Sequence, residues 1–488
     1  MIEKLVKGAV FNIANILLQV VLGLFVFREM LHYFGEQDFG TWSLIMAILA
    51  HIALFEFGLG AMISRMVSIE DKALDNKAIL STCFVVINSI ASVFIVVSTI
   101  VSFIIYEYSY DYSSFVSGES LAIVVLLLSA NFCMNFASGA YQAYLVGKFY
   151  VGTVNSVRFI ANLARSMLIL LAIYYDLGIV SIAMVFFSVA LFELICRITF
   201  SYKAGLSGEI AISCVSRSAF AYILTRAFRL IFLRMNDYTR NNSAILFSGV
   251  MLGTVAVVPL RISGRLMEIY VEISTSVNYL LTPYFSKFIS NDSREMSSKF
   301  QVSILVASGL SLIIFGNMWL HAEWFLGIWL NEFSPVTLTS LKVMAIGFCV
   351  ANMQGPCTAL LIAKDEYQTI SYLTISEMCL TLVLMPIFIS QYGVLGAAYA
   401  LTTSLCIARA MLQPILVSRK VSLSWRRYYG LLAAPIIVVF ILFQFISLSA
   451  DLVTSFSALP YFVNFITLEV ALLSTVLLLI YKRVKNAS

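Results

Sequence analysis

About fourteen stretches of roughly twenty mostly apolar residues follow one another along the chain. A helix of about twenty such residues spans the hydrocarbon core of a bilayer. The chain has 488 residues, of which 61% are hydrophobic and only 12% charged, whereas a soluble protein is about a quarter charged. The sequence therefore predicts an all-α polytopic membrane protein and excludes a soluble multi-domain protein.

The apolar stretches give the approximate bounds of fourteen predicted membrane spans. They lie near 8–32, 39–63, 79–106, 120–146, 153–175, 178–202, 218–236, 250–283, 300–320, 335–362, 368–390, 393–417, 428–448 and 460–481. The seventh and eighth are more polar than a simple lipid-facing helix. If these two do not cross the membrane, twelve spans remain.

The basic residues of the loops indicate the orientation of these spans. If the N-terminus is cytoplasmic, almost all loop lysines and arginines fall on the cytoplasmic side, and Arg240 is the exception. This asymmetry predicts an even number of spans with both termini in the cytoplasm. The opposite loops are short, which leaves no room for a catalytic domain outside the membrane. We therefore expect a protein that is not an enzyme.

The eight cysteines and three histidines show no spacing typical of a metal site. The cysteines form no CxxC pair and lie mostly in apolar runs, where they are expected as small buried residues. We predict no metal, no disulfide framework and no bound cofactor.

An internal repeat links the two halves of the chain. The segment "GAYQAYLVGKFYVGTVN" from Gly139 aligns with "GPCTALLIAKDEYQTIS" from Gly355, which superposes Lys148 on Lys364. Further on, "DLGIVSIA" aligns with "QYGVLGAA". Since both lysines fall on the predicted cytoplasmic side, the repeat is parallel. It predicts two helical bundles with a cleft between them.

One stripe of charge interrupts the eighth span. Arg261, Arg265, Glu268 and Glu272 are spaced so that they share one face of a helix. Each charge costs about 2.5–3.5 kcal/mol at the bilayer centre. We therefore expect this face to point away from lipid.

Arginine is in excess over acidic residues at span depth. The arginines within the spans that are candidates for a ligand site are Arg28, Arg158, Arg165, Arg226, Arg229, Arg261 and Arg265. Because guanidinium groups stay ionised and bind phosphate oxygens in a bidentate manner, the excess favours a phosphate or pyrophosphate ligand.

The alternative is internal pairing. The candidate pairs are Arg28 with Glu29 or Glu56, Arg265 with Glu268 or Glu272, and Arg197 with Glu193. Arg197 and Arg409 lie near cytoplasmic span ends, where snorkelling to the interface is expected.

Two further roles are open for residues within the spans. Glu56, in "LFEFGLGAMISR", is a candidate for coupling to H⁺ or Na⁺, or for balancing the charge of Arg28. Glu268 and Glu272 are candidates for the same two roles. Tyr270 and Tyr279 lie close to the charged stripe and are candidates for stacking on sugars. Arg158, Arg165 and Tyr270 are thus further candidates for the cavity.

Three segments carry a family resemblance. "YFGEQDFGTWSLIMAILAHIALFEFGLGAMISR" (33–65), "WFLGIWLNEFSPVTLTSLKVMAIG" (324–347) and "ALLIAKDEYQTISYLTISEMCLTLVLMPIFISQYGVLGAAYALTTS" (359–404) resemble Wzx-type O-antigen and capsule repeat-unit flippases. These belong to the multidrug/oligosaccharidyl-lipid/polysaccharide exporter superfamily. The resemblance covers about residues 5–420 and rests on diffuse glycine and aromatic patterns.

The resemblance implies a fold of two six-helix bundles, at 1–210 and 211–420, around a central cavity, with two additional helices at 421–488. It also implies a specific function. It implies a flippase of the bacterial inner membrane that moves undecaprenyl-diphosphate-linked oligosaccharide from the cytoplasmic to the periplasmic leaflet by alternating access, driven by an ion gradient. It implies that Arg28, Arg226, Arg229, Arg261 and Arg265 hold the diphosphate. The implied partners are the lipid-linked substrate, membrane lipids, a polysaccharide polymerase and a chain-length regulator, with no nucleic acid.

Three alternatives stay open. Two come from the same superfamily: a flippase for a peptidoglycan lipid precursor, and a cation-coupled drug exporter, against which an arginine-rich cavity argues. The third is a membrane glycosyltransferase or polymerase, which needs catalytic carboxylates or a large outer loop.

Overall fold

The computed structural model describes residues 2–51, 55, 58–68, 76–108, 118–279, 281–288, 293–420, 424–433 and 436. Every regular element in these ranges is a helix. The chain divides into two compact units, unit 1 over Met1–Tyr238 and unit 2 over Thr239–Ser488. The division into bundles at 1–210, 211–420 and 421–488 stays a prediction, as does the central cavity.

Most of the helices are long. Unit 1 contains α1 (Ile2–Ala50), α2 (Leu59–Ser68), α3 (Asn76–Tyr108), α4 (Gly118–Gly147), α5 (Val151–Tyr174), α6 (Gly178–Lys203), the single turn α7 (Leu206–Glu209) and a 3₁₀ turn (Ile212–Cys214), and α8 (Arg217–Leu252) runs across the unit boundary. Unit 2 continues with α9 (Val257–Tyr279), α10 (Leu281–Ser286), α11 (Ser293–Leu330), α12 (Pro335–Met353), α13 (Gly355–Ala363), α14 (Tyr367–Tyr392), α15 (Val394–Leu405), a π-helical segment (Cys406–Leu412) and α16 (Gln413–Lys420).

Among the described residues, 8 helical segments are long and apolar enough to cross a membrane. They are Asn76–Glu107, Gly118–Gly147, Val151–Tyr174, Gly178–Lys203, Glu295–Leu330, Pro335–Ala363, Tyr367–Tyr392 and Val394–Ser418. They coincide with the predicted third to sixth and ninth to twelfth spans. The chain is thus an all-α polytopic membrane protein. The two spans predicted near 428–448 and 460–481 lie almost wholly outside the described residues.

A glycine separates the first two predicted spans. Helix α1 contains Gly35 at φ 71° and ψ 175°, a backbone conformation that L side chains rarely adopt. Beside it, the Tyr33 hydroxyl donates to Asp176 Oδ1 at 2.7 Å and accepts from the Gly178 N–H at 2.9 Å. Burial and the bond to Asp176 raise the pKa of Tyr33. These contacts tie the break in α1 to the turn between α5 and α6.

The position of Arg240 differs from the prediction. The sequence places it in a polar loop between the seventh and eighth spans, but the polar run "MNDYTRNN" (235–242) lies inside the continuous helix α8. The interruption comes later, at 253–256, where Gly253 has φ 91°. Two polar side chains of the run lie inside the protein: Asn236 is buried, and Arg240 pairs with Glu377. Polarity here marks an internal contact and not a loop.

The predicted repeat is visible in two turns of closely similar geometry. In the α4–α5 turn Phe149 has φ 62°, and in the α13–α14 turn Asp365 has φ 57°. The next residue closes each turn: the Tyr150 N–H donates to Leu145 O at 2.8 Å, and the Glu366 N–H donates to Leu361 O at 2.9 Å. Both are helix C-terminal motifs built around a left-handed residue.

The repeated lysines have matching tasks. Lys148 Nζ contacts Glu209 Oε1 at 2.6 Å, which ties the α4–α5 turn to α7. Lys364 Nζ donates to Lys420 O at 2.8 Å, which ties the α13–α14 turn to the end of α16. Each lysine thus links the turn in which it lies to a later segment of the chain, α7 for Lys148 and the end of α16 for Lys364. The small-residue and lysine pattern of the sequence has a structural cause.

Candidate functional site

Helix α9 in unit 2 presents its predicted charged stripe on one side because the other side is fixed by packing. Leu260, Ile262 and Leu266 are buried, and α9 packs on α12. The Ser263 hydroxyl lies within 2.8 Å of Pro259 O on its own helix and within 3.3 Å of Thr337 O on α12. This buried side sets the rotation of the helix. Arg261, Arg265 and Glu268 remain half-buried on its other side.

One carboxylate serves both arginines. Arg261 Nη1 lies 3.2 Å from Glu268 Oε1, and Arg265 Nη1 lies 3.3 Å from Glu268 Oε2. The side chains of Arg261, Arg265 and Glu268 are 25%, 19% and 29% exposed. Pairing with Glu268, which the sequence offers as an alternative to ligand binding, is therefore present.

Pairing does not use up the stripe. Arg261, Arg265 and Glu268, the half-buried part of the stripe, carry a net charge of +1, whereas Glu272 is exposed. Each arginine reaches Glu268 through a single Nη atom. Within the described ranges neither guanidinium group has a hydrogen bond to a second acceptor. A guanidinium group offers five N–H donors. The arrangement leaves oriented donors next to one another, which suits an oxyanion.

The other predicted site residues belong to several different helices and to both units. Glu272, further along α9, is exposed, and Tyr270 packs against Phe315 with ring centroids 6.1 Å apart. Arg28 on α1 is half-buried and forms no ion pair with any described carboxylate, Glu29 included. The side chains of Arg226, Arg229 and Tyr279, and all of Glu56, lie outside the described residues. Their roles stay predictions.

A buried charge cluster in unit 2 was missed by sequence reasoning. Glu377 on α14 is 1% exposed and lies between Arg240 of α8 and Arg409 of the π-helical segment, which are each 15% exposed. Arg240 Nε donates to Glu377 Oε1 at 2.8 Å, and Arg409 Nε donates to Glu377 Oε2 at 2.6 Å. The expectation that Arg409 snorkels is wrong, because its charge is satisfied inside the protein. The one signal in the sequence is a lone glutamate in an apolar span.

Unit 1 holds a second group of arginines. Arg158 and Arg165 lie on α5, and Arg197 lies on α6. Arg197 is buried, contacts Glu193 at 3.3 Å and donates to the Ser138 hydroxyl at 2.9 Å. The expectation of snorkelling is wrong for Arg197 as well, and the predicted alternative of pairing with Glu193 is present. No cluster of potential metal ligands occurs in the ranges that the structure describes.

Comparison with known proteins gives the fold. No family model and no curated protein matches the sequence. The structure is similar to the lipid II flippase MurJ in an inward closed conformation, with a TM-score of 0.69 and 14% identity over 96% of this chain and 97% of that one. It is also similar to an inward-facing multidrug resistance MATE family transporter of the MOP superfamily, with a TM-score of 0.67 and 13% identity over 85% and 98% of the two chains.

This protein has the fold of MOP superfamily transporters. A third match, to a MOP superfamily transporter from Pyrococcus furiosus described as having a binding pocket of reversed polarity, has a TM-score of 0.55 and 14% identity over 86% and 93% of the chains. At these identities the likeness concerns the fold alone.

Proposed function

We propose that this protein is a flippase for undecaprenyl-diphosphate-linked oligosaccharide, an O-antigen or capsule repeat unit, which it moves from the cytoplasmic to the periplasmic leaflet by alternating access. The observation that carries the proposal is the half-buried stripe of Arg261, Arg265 and Glu268, with its net positive charge, in a chain with the MOP fold. The lipid II flippase among the similar structures supports a lipid-linked substrate.

The physical task matches the residues. A diphosphate cannot cross bare hydrocarbon, because an unpaired charge there costs many kcal/mol. Guanidinium groups held on a packed helix replace part of the hydration of the diphosphate. We propose that Arg265 and Arg261 contact the diphosphate, together with Arg28, Arg226 and Arg229. H⁺ or Na⁺ is the proposed coupling ion, with Glu56, Glu268 and Glu272 as candidates for coupling or charge balance.

The decisive experiment reconstitutes the purified protein in proteoliposomes with a labelled undecaprenyl-diphosphate oligosaccharide on one leaflet. We expect the label to become accessible to a sugar-cleaving enzyme on the other side faster than in protein-free vesicles. Parallel vesicles test efflux of a lipophilic cation, because the MATE likeness makes a cation-coupled drug exporter the second candidate. Cation efflux without movement of the lipid would replace the proposal with that alternative.

Similar structures that are transporters support transport rather than catalysis. We propose that the protein acts in the inner membrane of a bacterium, with the polysaccharide polymerase and chain-length regulator as partners downstream.

We also propose that both termini are cytoplasmic. The turn at 253–256, between α8 and α9, then lies on the periplasmic side. A reporter inserted after Thr254 is expected to report a periplasmic location. The same reporter inserted after Lys364 is expected to report a cytoplasmic location. The reverse pattern would contradict the orientation.

A further inference from the structure

Three described arginines of unit 1 are short of negative charge. The charges of Arg158 and Arg165 both act on Arg197, and Glu193 is the one described carboxylate acting on Arg165 and Arg197. The three arginines and Glu193 together carry a net charge of +2. Burying a guanidinium group without a counter-charge is unfavourable. Something else must compensate for this charge.

Two donors in the group lack acceptors. Arg165 Nε and Arg197 Nε are buried, and neither has a hydrogen-bond partner among the described residues. Arg165 lies over the ring of Phe186, 5.5 Å from its centroid, and its Nη1 makes only a long contact of 3.4 Å to Asn162 Oδ1. Arg197 is anchored by Glu193 and Ser138. An unsatisfied buried donor is rare in native proteins and calls for a partner.

The two side chains lean toward each other. Helices α5 and α6 are joined by a short turn and pack together, so they run in opposite directions. Helical side chains tilt toward the N-terminus of their own helix. Arg165 therefore tilts toward the α5 start and Arg197 toward the α6 start, and their guanidinium groups converge near Glu193.

We propose that unit 1 contains a second anion site, in which Arg165 and Arg197 bind one phosphate-type oxyanion and Arg158 draws it in. Several oxygens on one phosphorus can accept from donors on two different helices, and the planar guanidinium fork suits such a group. This site is built by α5 and α6 of unit 1, whereas the charged stripe belongs to α9 of unit 2, and the inference does not depend on the proposed substrate. The phosphate comes either from the aqueous phase or from a lipid headgroup.

The test measures binding of inorganic phosphate to the full chain in a neutral detergent, by calorimetry and by the shift in apparent melting temperature. A bulky organic anion keeps the ionic strength constant. We expect phosphate to bind and stabilise the protein. Arg165→Gln is expected to weaken binding by about tenfold or more, as loss of a charge-assisted hydrogen bond does. Arg165→Lys, which keeps the charge without the fork, recovers part of the affinity.

Two controls locate the site. Arg217→Gln, at an exposed position, leaves phosphate binding unchanged. Arg261→Gln removes part of the α9 stripe, and the inference requires that the unit 1 affinity persists in it. If Arg261→Gln abolishes binding and Arg165→Gln does not, the anion belongs to α9 and the inference is wrong, while the proposed function gains support. The inference is also wrong if the parent and Arg165→Gln bind phosphate with equal affinity. It is wrong as well if chloride stabilises the parent as much as phosphate does.

A second arm identifies the source. Phosphatidic acid added to the micelles competes with inorganic phosphate if the site opens to lipid headgroups, and leaves the affinity for inorganic phosphate unchanged if the site opens to water.

A second variant, Arg158→Gln, tests the same site if Arg165→Gln does not fold, because Arg158 is half-buried and its replacement is expected to leave the structure intact. It is expected to bind phosphate more weakly than the parent, and parental affinity would remove Arg158 from the site.

Discussion

Replacing Glu377 with glutamine is expected to destabilise the protein by about 3–5 kcal/mol, the usual cost of removing one partner from a buried ion pair. The substitution keeps the size of the side chain and removes the carboxylate charge that lies between the guanidinium groups of Arg240 and Arg409. Both arginines are only 15% exposed, so water cannot replace the carboxylate. Unfolding in mixed micelles, followed by tryptophan fluorescence, measures the change.

A matched control is available in the same unit. Glu366 pairs with Lys420 at 2.6 Å, but their side chains are 29% and 42% exposed. The bond from Lys420 lowers the pKa of Glu366. Glu366→Gln is nevertheless expected to cost about 0–1 kcal/mol, as exposed pairs do.

An apolar replacement tests the cause. The variant Arg240→Met, Glu377→Leu, Arg409→Met removes all three charges and is expected to regain most of the lost stability, because apolar replacements of buried charge clusters are often neutral or better. If Glu377→Gln unfolds like the parent, the cluster has no role in stability.

Arg265→Ala is expected to abolish glycan display in a strain that depends on this protein, at normal protein levels. A charge-assisted hydrogen bond contributes about 1.5–3 kcal/mol, so its loss reduces substrate binding by about tenfold or more. Arg265→Lys is expected to retain partial function, since lysine keeps the charge but not the bidentate fork. Full activity of Arg265→Ala would remove this residue from the site.

The contact with Glu268 provides a stricter version of this experiment. The double variant Arg265→Ala, Glu268→Gln keeps the net charge of the stripe at +1, as in the parent. If Arg265 serves only to neutralise Glu268, the double variant is active. If Arg265 contacts the substrate, it is inactive like the single variant. Flipping in proteoliposomes distinguishes the two outcomes without dependence on cell growth.

The sequence is informative where contacts are local. The charged stripe of α9 follows from residues three and four apart on one helix, and the structure shows Arg261, Arg265 and Glu268 together. The turn lysines follow from a short repeated motif. Apolar length alone defines the spans that coincide with the long helices. None of these requires knowledge of distant neighbours.

Contacts between distant parts of the chain were not predictable in the same way. Arg240 and Glu377 are far apart in sequence, and nothing in the polar run around Arg240 distinguishes a loop from a helix with an internal partner. Arg409 lies at a position in the sequence that is typical of a snorkelling residue. Only its contact with Glu377 of α14 shows that its charge is satisfied inside unit 2. Charge at span depth identifies a buried contact without identifying its partner.

The π-helical segment Cys406–Leu412 has a consequence for the register between the two halves of the repeat. A π turn closes its hydrogen bond over five residues instead of the four of an α-helix, so it holds one more residue. Before it, Gly393 corresponds to Gly178; after it, Gln413 corresponds to Arg197, one position further than that pairing predicts. Gln413 reaches Gln354 just as Arg197 reaches Ser138. The wide turn thus accommodates the one extra residue, and Gln413 lies beside Gln354 as Arg197 lies beside Ser138.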